Sequence, residues 1–327
     1  MRWTPELIAE ARRQTAAGIT ARAVAADLSQ RFGVAATKDS VRQAMMRAPV
    51  SQHVPPMQPP QIRPPVAQYA DPSLAAGPRS GVPRSIAILA DLHIPDEDKP
   101  ALAAAMAILK ERQPDEVVLL GDVGEFESCS QHSPSLQRYS DDLAAVRGFL
   151  QRLRELVPDA RITLAEGNHE SRFRRTIGTL LPTLAGAHRI ETDLGLAELG
   201  IEYIPEDAQP IRRGKLVMLH GHQIGTYLPK YVAAKLADVY GEAGGTVVCA
   251  HGHREQWYER PMAGGNAIGV SLPCLRTLRP TWLHGREAGW SHGMAWVTLE
   301  GGAPVLEQIE IREGRAYWGG VTFGTAA

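Results

Sequence analysis

The sequence predicts an α/β fold in which two β-sheets pack as a sandwich flanked by helices, preceded by a small all-α domain of three helices. From residue 85 onward, apolar runs of four to six residues alternate with helical stretches, as in an α/β sheet with helices on its faces. After about residue 200 the runs become strand-dominated, and one helix near residues 229–242 interrupts them. Two sheets packed face to face, with outer helices, accommodate this pattern.

The chain divides into three segments by composition. Residues 1–47 read as helices, residues 48–84 as a linker and residues 85–327 as the α/β domain. The linker holds ten of the 24 prolines, and each proline lacks an N–H and disfavours helix at the preceding residue. It is therefore predicted to be extended and partly polyproline, with recognition by a protein partner through its PxxP-like spacing as the alternative.

Residues 1–47 show three short helical patterns. They run from about Pro5 to Ala17, from Thr20 to Arg31 with Thr20 as N-cap, and from Thr37 to Met46. A Gly-containing turn and a basic third helix are typical of a helix-turn-helix, and the outward basic side chains predicted to contact DNA are Lys38, Arg42 and Arg47. The alternative is a small bundle that packs on the other domain or on a second copy of the chain, which leaves a homo-oligomer open.

Charge and composition argue against a membrane protein and against a disulfide-stabilised protein. The net charge of the chain is −1, yet residues 1–47 carry eight Lys or Arg against four Asp or Glu, so a basic head precedes a mildly acidic body. No window approaches the length of a membrane helix and the N-terminus lacks an apolar signal core, so no membrane partner is expected. The three widely spaced cysteines argue against a disulfide framework and for the cytoplasm.

Polar side chains follow five of the apolar runs, at the point where each predicted strand ends. The five endings are Asp91-Leu92-His93, Gly121-Asp122, Gly167-Asn168-His169, His220-Gly221-His222 and His251-Gly252-His253. The carboxyl edge of an α/β sheet is where sites are assembled from loops. Any one ending is an ordinary loop feature, but five in one chain predict a single site.

The residue types in these endings predict a metal centre. A mixed oxygen and imidazole set suits Mn, Fe, Zn or Ni, whereas an all-carboxylate set would suit Mg or Ca. We expect Mn, with Fe, Zn, Ni or Mg as alternatives. Seven or eight ligands are too many for one tetrahedral zinc ion, and they suit two divalent ions about 4 Å apart that share a carboxylate.

The series D-x-H, G-D, G-N-H-E, H-G and H-x-H, in this order, resembles the calcineurin-like metallophosphoesterase superfamily over about residues 85–300. The resemblance implies a helix-flanked β-sandwich with a two-metal centre. It implies Asp122 as the bridging ligand and His169 as the general acid. Carried over by motif, the ligands of the first ion would be Asp91, His93 and His253, and those of the second would be Asn168, His220 and His251.

Two positions depart from the superfamily pattern without removing a ligand. Ala250 stands where a glycine is usual, and Glu125 stands where Asp or Asn is frequent. Arg172 and Arg254 follow motif histidines closely and are candidate clamps for a substrate phosphate, with a solvated basic face as the alternative reading.

The expected reaction is phosphoester hydrolysis by a metal-bridging hydroxide, with an imidazolium that protonates the leaving oxygen. The segments "GNHESR", "HGHR" and "GWSHGMAWVTL" resemble phosphoesterases of phage and prophage genomes. Together with the basic head they favour a phosphodiesterase or nuclease that acts on DNA. The alternatives are a phosphomonoesterase, such as a protein Ser/Thr phosphatase with a protein-binding head, and a DNA-binding regulator with a vestigial enzyme domain.

Overall fold

The structure, a computed structural model, describes residues 4–16, 19–33, 35–41, 83–130, 138–180, 183, 188–224 and 231–324. The chain divides into two units, residues 1–67 and residues 68–327. The division falls inside the proline-rich segment 48–84, of which residues 48–82 lie outside the described residues.

The N-terminal unit contains helices α1 (Pro5–Ala16) and α2 (Ala21–Phe32), within one residue of their predicted bounds. Thr20 caps α2 as predicted, because its side chain accepts the N–H of Ala23, and Gly33 ends the helix with φ of 65°. A small apolar core holds α1, α2 and the start of the next helical turn together; it consists of Leu7, Ala11, Val24, Ala25, Leu28 and Val41.

The predicted third helix is described only over its first turn, residues 38–41. Thr37 and Ser40 exchange hydrogen bonds between side chain and backbone N–H at its start, which is the reciprocal pattern of a capping box. Lys38 is exposed. Arg42 and Arg47 lie outside the described residues, so the helix-turn-helix and its DNA contacts stay predictions.

The second unit builds two sheets from thirteen strands and five further helices in its described residues. The strands are β1 (Ser85–Leu89), β2 (Glu116–Leu119), β3 (Arg161–Ala165), β4 (Ile201–Ile204), β5 (Ile211–Arg213), β6 (Leu216–Leu219), β7 (Thr246–Cys249), β8 (Gln256–Arg260), β9 (Ala267–Ser271), β10 (His292–Glu300), β11 (Ala303–Arg312), β12 (Arg315–Trp318) and β13 (Val321–Gly324). The helices are α3 (Lys99–Arg112), α4 (Tyr139–Leu156), α5 (Glu170–Leu180), α6 (Ile190–Asp193) and α7 (Val232–Tyr240).

The larger sheet has the order β13-β12-β11-β10-β1-β2-β3-β4 and the smaller sheet the order β5-β6-β7-β9-β8. Strands β1 to β4 are parallel, as are β6, β7 and β9. The predicted α/β sandwich of two sheets is therefore confirmed.

Alternate residues of the central strands enter different cores. On β1, Ala87 and Leu89 pack with α3 and α4, whereas Ile86 and Ile88 pack between the two sheets against Met218. A third cluster covers the outer face of the smaller sheet with Leu236 of α7. Because both faces of these strands are buried, their sequences read as continuous apolar runs.

This topology brings the polar strand endings together. The parallel strands of each sheet all end at one edge, and the edges of the two sheets lie side by side, since the backbone N–H of His251 after β7 donates to the Asp91 carboxylate after β1 at 2.9 Å. None of the helices in the described parts of the chain is long and apolar enough to span a membrane.

Candidate metal centre

The loops that leave the strands adopt unusual backbone conformations at the predicted ligands. Nine non-glycine residues in the described part of the chain have positive φ, and five of these are predicted metal ligands: Asp91, His93, Asp122, His251 and His253, with φ between 51° and 67°. Left-handed backbone is costly for such residues and collects at functional sites, where the surrounding structure maintains it. The loops are therefore shaped to aim these side chains inward.

The first triad consists of Asp91, His93 and His253, all buried. The Nε2 atoms of the two histidines lie 3.2 Å apart, and Asp91 Oδ1 lies 3.4 Å from His253 Nε2. Asp91 Oδ1 is buried without a hydrogen-bond partner among the described residues. Because His93 Nδ1 is 2.7 Å from Glu125, its proton belongs on Nδ1 and its Nε2 lone pair faces the triad. Three donor atoms therefore converge on one point that a cation would fill.

The second triad consists of Asp122, His220 and His251, whose ligand atoms lie within 4.8 Å of one another. His220 Nδ1 contacts the Leu120 carbonyl at 2.8 Å, which directs Nε2 inward. That Nε2 is 3.3 Å from Asp122 Oδ2 and 3.2 Å from Asn168 Oδ1. The structure thus brings Asn168 to this triad as a neutral oxygen donor.

Asp122 belongs to the second triad and also faces the first. Its Oδ2 is 3.9 Å from His93 Nε2 in the first triad and 3.3 Å from His220 Nε2 in the second. Its Oδ1 accepts the backbone N–H of His169 at 2.9 Å, which fixes the carboxylate plane. One oxygen is therefore turned toward both groups of imidazoles, as a shared ligand requires.

The electrostatics of the cluster favour a cation. Asp91 and Asp122 are buried, and in the described residues no Lys or Arg forms an ion pair with either carboxylate. Burial opposes ionisation of Asp122, but the neighbouring histidines, His169 and His220 foremost, bring its pKa well below the usual value. Burial disfavours the imidazolium of His220, yet the Asp122 carboxylate raises its pKa to about 10. A divalent ion would supply the positive charge that these buried carboxylates need.

Glu125 is the first of two supporting carboxylates whose contacts the sequence did not reveal. Besides His93, its side chain contacts Arg276 at 3.3 Å and Arg172 at 3.4 Å, and its backbone carbonyl contacts His169 Nδ1 at 2.8 Å. A carboxylate on the far nitrogen of a ligating histidine fixes the ring and increases its basicity. Glu125 therefore supplies an acidic partner for His93, although the superfamily more often has Asp or Asn at this position.

Glu170 is the second supporting carboxylate whose contacts the sequence did not reveal. Its buried carboxylate accepts four backbone N–H groups, from Asp122, Val123, Gly124 and Gly167, at 2.8 to 3.2 Å. It begins α5 and ties the Asp122 loop to the Asn168 loop. The close approach leaves no space for a side chain at Gly167, where a Cβ would lie 2.3 Å from Asp122 Oδ1.

His169 lies beside both triads. Its Nε2 is 3.8 Å from Asp122 Oδ2, and its ring packs edge-on against His93 with centroids 4.4 Å apart. Burial lowers its pKa. Its ligand atom also converges with those of His93 and Asp122, so geometry alone allows it as a ligand or as an acid.

The two arginines predicted to clamp substrate have protein partners. Arg172 donates to His169 Nε2 at 2.9 Å and to the Glu125 carbonyl at 3.0 Å. Arg254 donates to the Ala288 carbonyl at 2.5 Å. Arg172 therefore borders the metal cluster, whereas Arg254 fastens the loop that precedes β10.

Comparison with known proteins gives concordant results. The profile of the calcineurin-like phosphoesterase family matches residues 84–318. The Gene 54 protein of Mycobacterium phage L5 is 27% identical over 246 residues, which cover 71% of this chain and 95% of that protein. The Gene 54 protein of Mycobacterium phage D29 is 26% identical over 253 residues, with the same coverage of both chains.

Two solved structures are also similar. Vacuolar protein sorting 29 from Cryptosporidium parvum is 14% identical with a TM-score of 0.40, and the match covers 75% of this chain and all of that one. Yfce, a phosphoesterase from E. coli, is 18% identical with a TM-score of 0.36, and the match covers 70% of this chain and all of that one.

Proposed function

This chain belongs to the calcineurin-like phosphoesterase family and is a hydrolase, and from that premise we propose that it is a two-metal phosphodiesterase or nuclease that acts on DNA. The observation that carries the proposal is the pair of triads, in which Asp122 of the second triad also faces His93 of the first. The family and the Asp/His donor set make the cluster a divalent metal centre. The number of ions, their identity and the substrate are the proposed part.

The donor atoms fit two ions that share one carboxylate. We assign Asp122 to both ions, and His169 to neither. Asp91, His93 and His253 would hold the first ion, and Asn168, His220 and His251 would hold the second. The unpartnered Asp91 Oδ1 and the inward Nε2 atoms of His93 and His220 support this assignment. Mixed imidazole and oxygen donors favour Mn, with Fe, Zn, Ni or Mg as alternatives. Such ions bind phosphate oxygens and lower the pKa of a bound water, which supplies the nucleophile.

The residues around the ions position the substrate and move the proton. His169 is held by the contact between its Nδ1 and the Glu125 carbonyl, so that Nε2 points to the cluster. Nε2 accepts from Arg172 in the structure, and it would carry the proton for the leaving oxygen once the Arg172 guanidinium turns to a phosphate oxygen of the substrate. Arg172 contacts the same Nε2 and is 23% exposed at its side chain, which suits it to meet a phosphate oxygen. Glu170 holds the Asp122 loop and the Asn168 loop in fixed relative positions, because its carboxylate accepts four backbone N–H groups from them.

Support for DNA as the substrate comes from the N-terminal unit. Its net charge over residues 1–47 is four positive, and it contains two capped helices and the start of a third on a small core of its own. Exposed Lys38 begins the third helix, and Arg42 and Arg47 follow in the same basic segment. Phosphate contacts by these side chains would raise the local concentration of DNA at the metal centre.

A substrate panel tests the reaction class. The full chain, loaded in turn with Mn, Ni, Zn and Mg, is given bis-p-nitrophenyl phosphate, p-nitrophenyl phosphate and DNA. We expect the diester and DNA to be hydrolysed with a higher kcat/KM than the monoester. Preference for the monoester together with intact DNA would overturn the diesterase proposal and favour a phosphomonoesterase.

A charge-matched pair of variants tests the role of the N-terminal unit. Lys38→Ala and Arg22→Ala each remove one exposed positive charge from this unit in the full chain. If Lys38 contacts phosphate, its loss should reduce the dependence of log K for DNA binding on log salt concentration by about one, because roughly one counterion is released for each phosphate contact. Arg22→Ala is the control and should leave that slope unchanged. Equal slopes for both variants and the wild type would exclude Lys38 as a phosphate contact.

A further inference from the structure

Two tryptophans lie on the loop between β9 and β10, beside the metal centre. Trp282 stands in a short 3-10 helix, Thr281–Leu283, and 51% of its surface is exposed. Trp290 is half-buried, and the two ring centroids are 5.8 Å apart. We call these two side chains the tryptophan shelf. A single exposed indole is ordinary on a protein surface, but two adjoining indoles next to a cluster of candidate metal ligands form an aromatic surface suited to a flat ligand ring.

The tryptophan shelf is fixed to the first triad by two routes. Trp290 packs edge-on against the ligand His253 with centroids 4.6 Å apart. Arg276 donates to Glu125, which in turn holds His93. The Arg276 guanidinium also lies 5.5 Å from the Trp290 ring and 5.9 Å from the Trp282 ring. The position of the indoles is thus coupled to the positions of two proposed metal ligands.

Arg276 is held under the indoles in an unusual environment. It is 3% exposed, and its Nε and Nη2 atoms have no hydrogen-bond partner in the described part of the chain, although Nη2 lies 3.8 Å from Asp96. Burying guanidinium donors without partners is costly, and such groups need an explanation in a native structure. Contact with the two ring faces provides one, because the cation attracts the indoles and orients them.

Arginines surround the tryptophan shelf. The loop segment from Arg276 to Trp290 contains three arginines and one glutamate. Arg276 is buried against Glu125 and Arg279 pairs with Glu287 at 3.1 Å. Arg286 is exposed. Arg254, which follows His253, fastens the same loop through the Ala288 carbonyl. An exposed aromatic ring beside positive charge is the combination that binds single-stranded nucleic acid, where bases stack on the ring and the charge meets the backbone.

We propose that the tryptophan shelf binds the base of the nucleotide next to the scissile phosphate, with the exposed Trp282 as the stacking surface and Trp290 as its support. The occupant is a single-stranded nucleic acid. This inference rests on the proposed function and deepens it, because it gives the site a reason to prefer a nucleoside diester over any other phosphodiester. A phosphoserine peptide has no flat ring beside its phosphate, so it would gain no stacking energy from this surface.

Two esters with the same leaving group test the proposal. Thymidine 5′-(p-nitrophenyl) phosphate and methyl p-nitrophenyl phosphate are both diesters, and only the first carries a base. The wild-type enzyme should prefer the thymidine ester in kcat/KM. Trp282→Ala should reduce that preference roughly 5- to 150-fold, which is the range of base–aromatic stacking. Trp282→Phe retains a ring and should retain most of the preference, and Tyr317→Ala, at a side chain 75% exposed on β12, should leave it unchanged.

Tryptophan fluorescence gives a second readout that does not depend on turnover. In EDTA, a short oligothymidylate should quench the emission of the wild-type chain, and an abasic oligonucleotide of equal length should quench it far less. Trp282→Ala should lose the difference between the two oligonucleotides, whereas Tyr317→Ala should keep it. The other tryptophans are unchanged in these variants, so the difference reports on Trp282.

The outcomes separate this proposal from the proposed function. Two results would contradict base binding by the tryptophan shelf without contradicting the diesterase proposal. In the first, the wild-type enzyme turns over both esters without preference. In the second, the Trp282→Ala variant loses activity equally on both. Absence of turnover for both esters would contradict the diesterase itself, and the fluorescence comparison would still decide whether Trp282 stacks on a base.

Discussion

The metal centre has two halves, which differ in burial and in the groups that support their ligands. The first half is the first triad, and the second half consists of Asn168, His220 and His251. Asp91, His93 and His253 are between 0% and 6% exposed, and Glu125 fixes His93 from behind. In the second half His220 is buried, but Asn168 and His251 are partly exposed, and the supporting partner of His220 is a backbone carbonyl. A deeply buried, carboxylate-supported set holds an ion tightly, whereas a partly exposed set lets an ion exchange and leaves room for substrate. For the proposed pair of ions, the comparison therefore predicts a resident ion at the first triad and a more exchangeable ion at the second.

The largest expected effect comes from the carboxylate that both halves share. Asp122→Asn removes its charge while the amide oxygen still accepts the His169 N–H, so the fold should survive. Both ions should bind weakly, and turnover should fall by more than about a hundredfold, the upper end of the effect of an outer-shell change. Metal content by mass spectrometry and the rate on a chromogenic diester check this prediction. A variant that loses only one ion would show that Asp122 belongs to one half, and circular dichroism would detect a folding defect.

Substitution of His169 should have the next largest effect on the rate. It tests whether His169 ligates an ion together with His93 and Asp122, which would make a third group of ligands. If His169 is an acid and no ligand, His169→Ala should keep the metal content of the wild type and lose about a hundredfold or more in rate on an alkyl ester. The loss should shrink for a p-nitrophenyl ester, because that leaving group needs little protonation. Loss of an ion in this variant would make His169 a ligand, and equal rate losses on the two esters would exclude the acid role.

The smallest effect should distinguish the two halves directly. Glu125→Gln removes the carboxylate behind His93, and the affinity of the first ion should fall about tenfold, within the range for outer-shell partners. The control is Glu206→Gln, which changes a partly exposed carboxylate that contacts His222 instead of a proposed ligand. Titration of both variants with Mn should show one weakened site for Glu125→Gln and two unchanged sites for the control. A weakened second site would invalidate the assignment of Glu125 to the first triad.

Much of the fold and of the metal cluster could be predicted from the sequence, because the signals are local. Buried parallel strands such as "EVVLL" are uninterrupted apolar runs, and the polar residues that end them share one edge of a sheet. The five strand endings therefore indicated most of the residues that the structure brings together. Their left-handed backbone could not be read from residue type, since Asp and His adopt it more often than most non-glycine residues but still only in a minority of cases.

The parts that the sequence did not predict depend on distant contacts. Glu170 stands at the start of its own helix, but its carboxylate accepts backbone N–H groups from residues 46 to 48 positions earlier in the chain. Strand β8, "QWYER", is largely exposed and lacks an apolar alternation, so only its pairing with β9 identifies it. The contact between Trp290 and His253 likewise arises from the path of a loop, which no residue pattern records.

Anomalous diffraction from crystals grown with Mn tests the central claim most directly, because it locates each ion in relation to Asp122. The proposed two-metal centre predicts two peaks about 4 Å apart, one among Asp91, His93 and His253 and the other among Asn168, His220 and His251, with the Asp122 carboxylate bound to both. A single peak under saturating Mn, or two peaks of which only one contacts Asp122, would contradict the two-metal centre with a shared carboxylate.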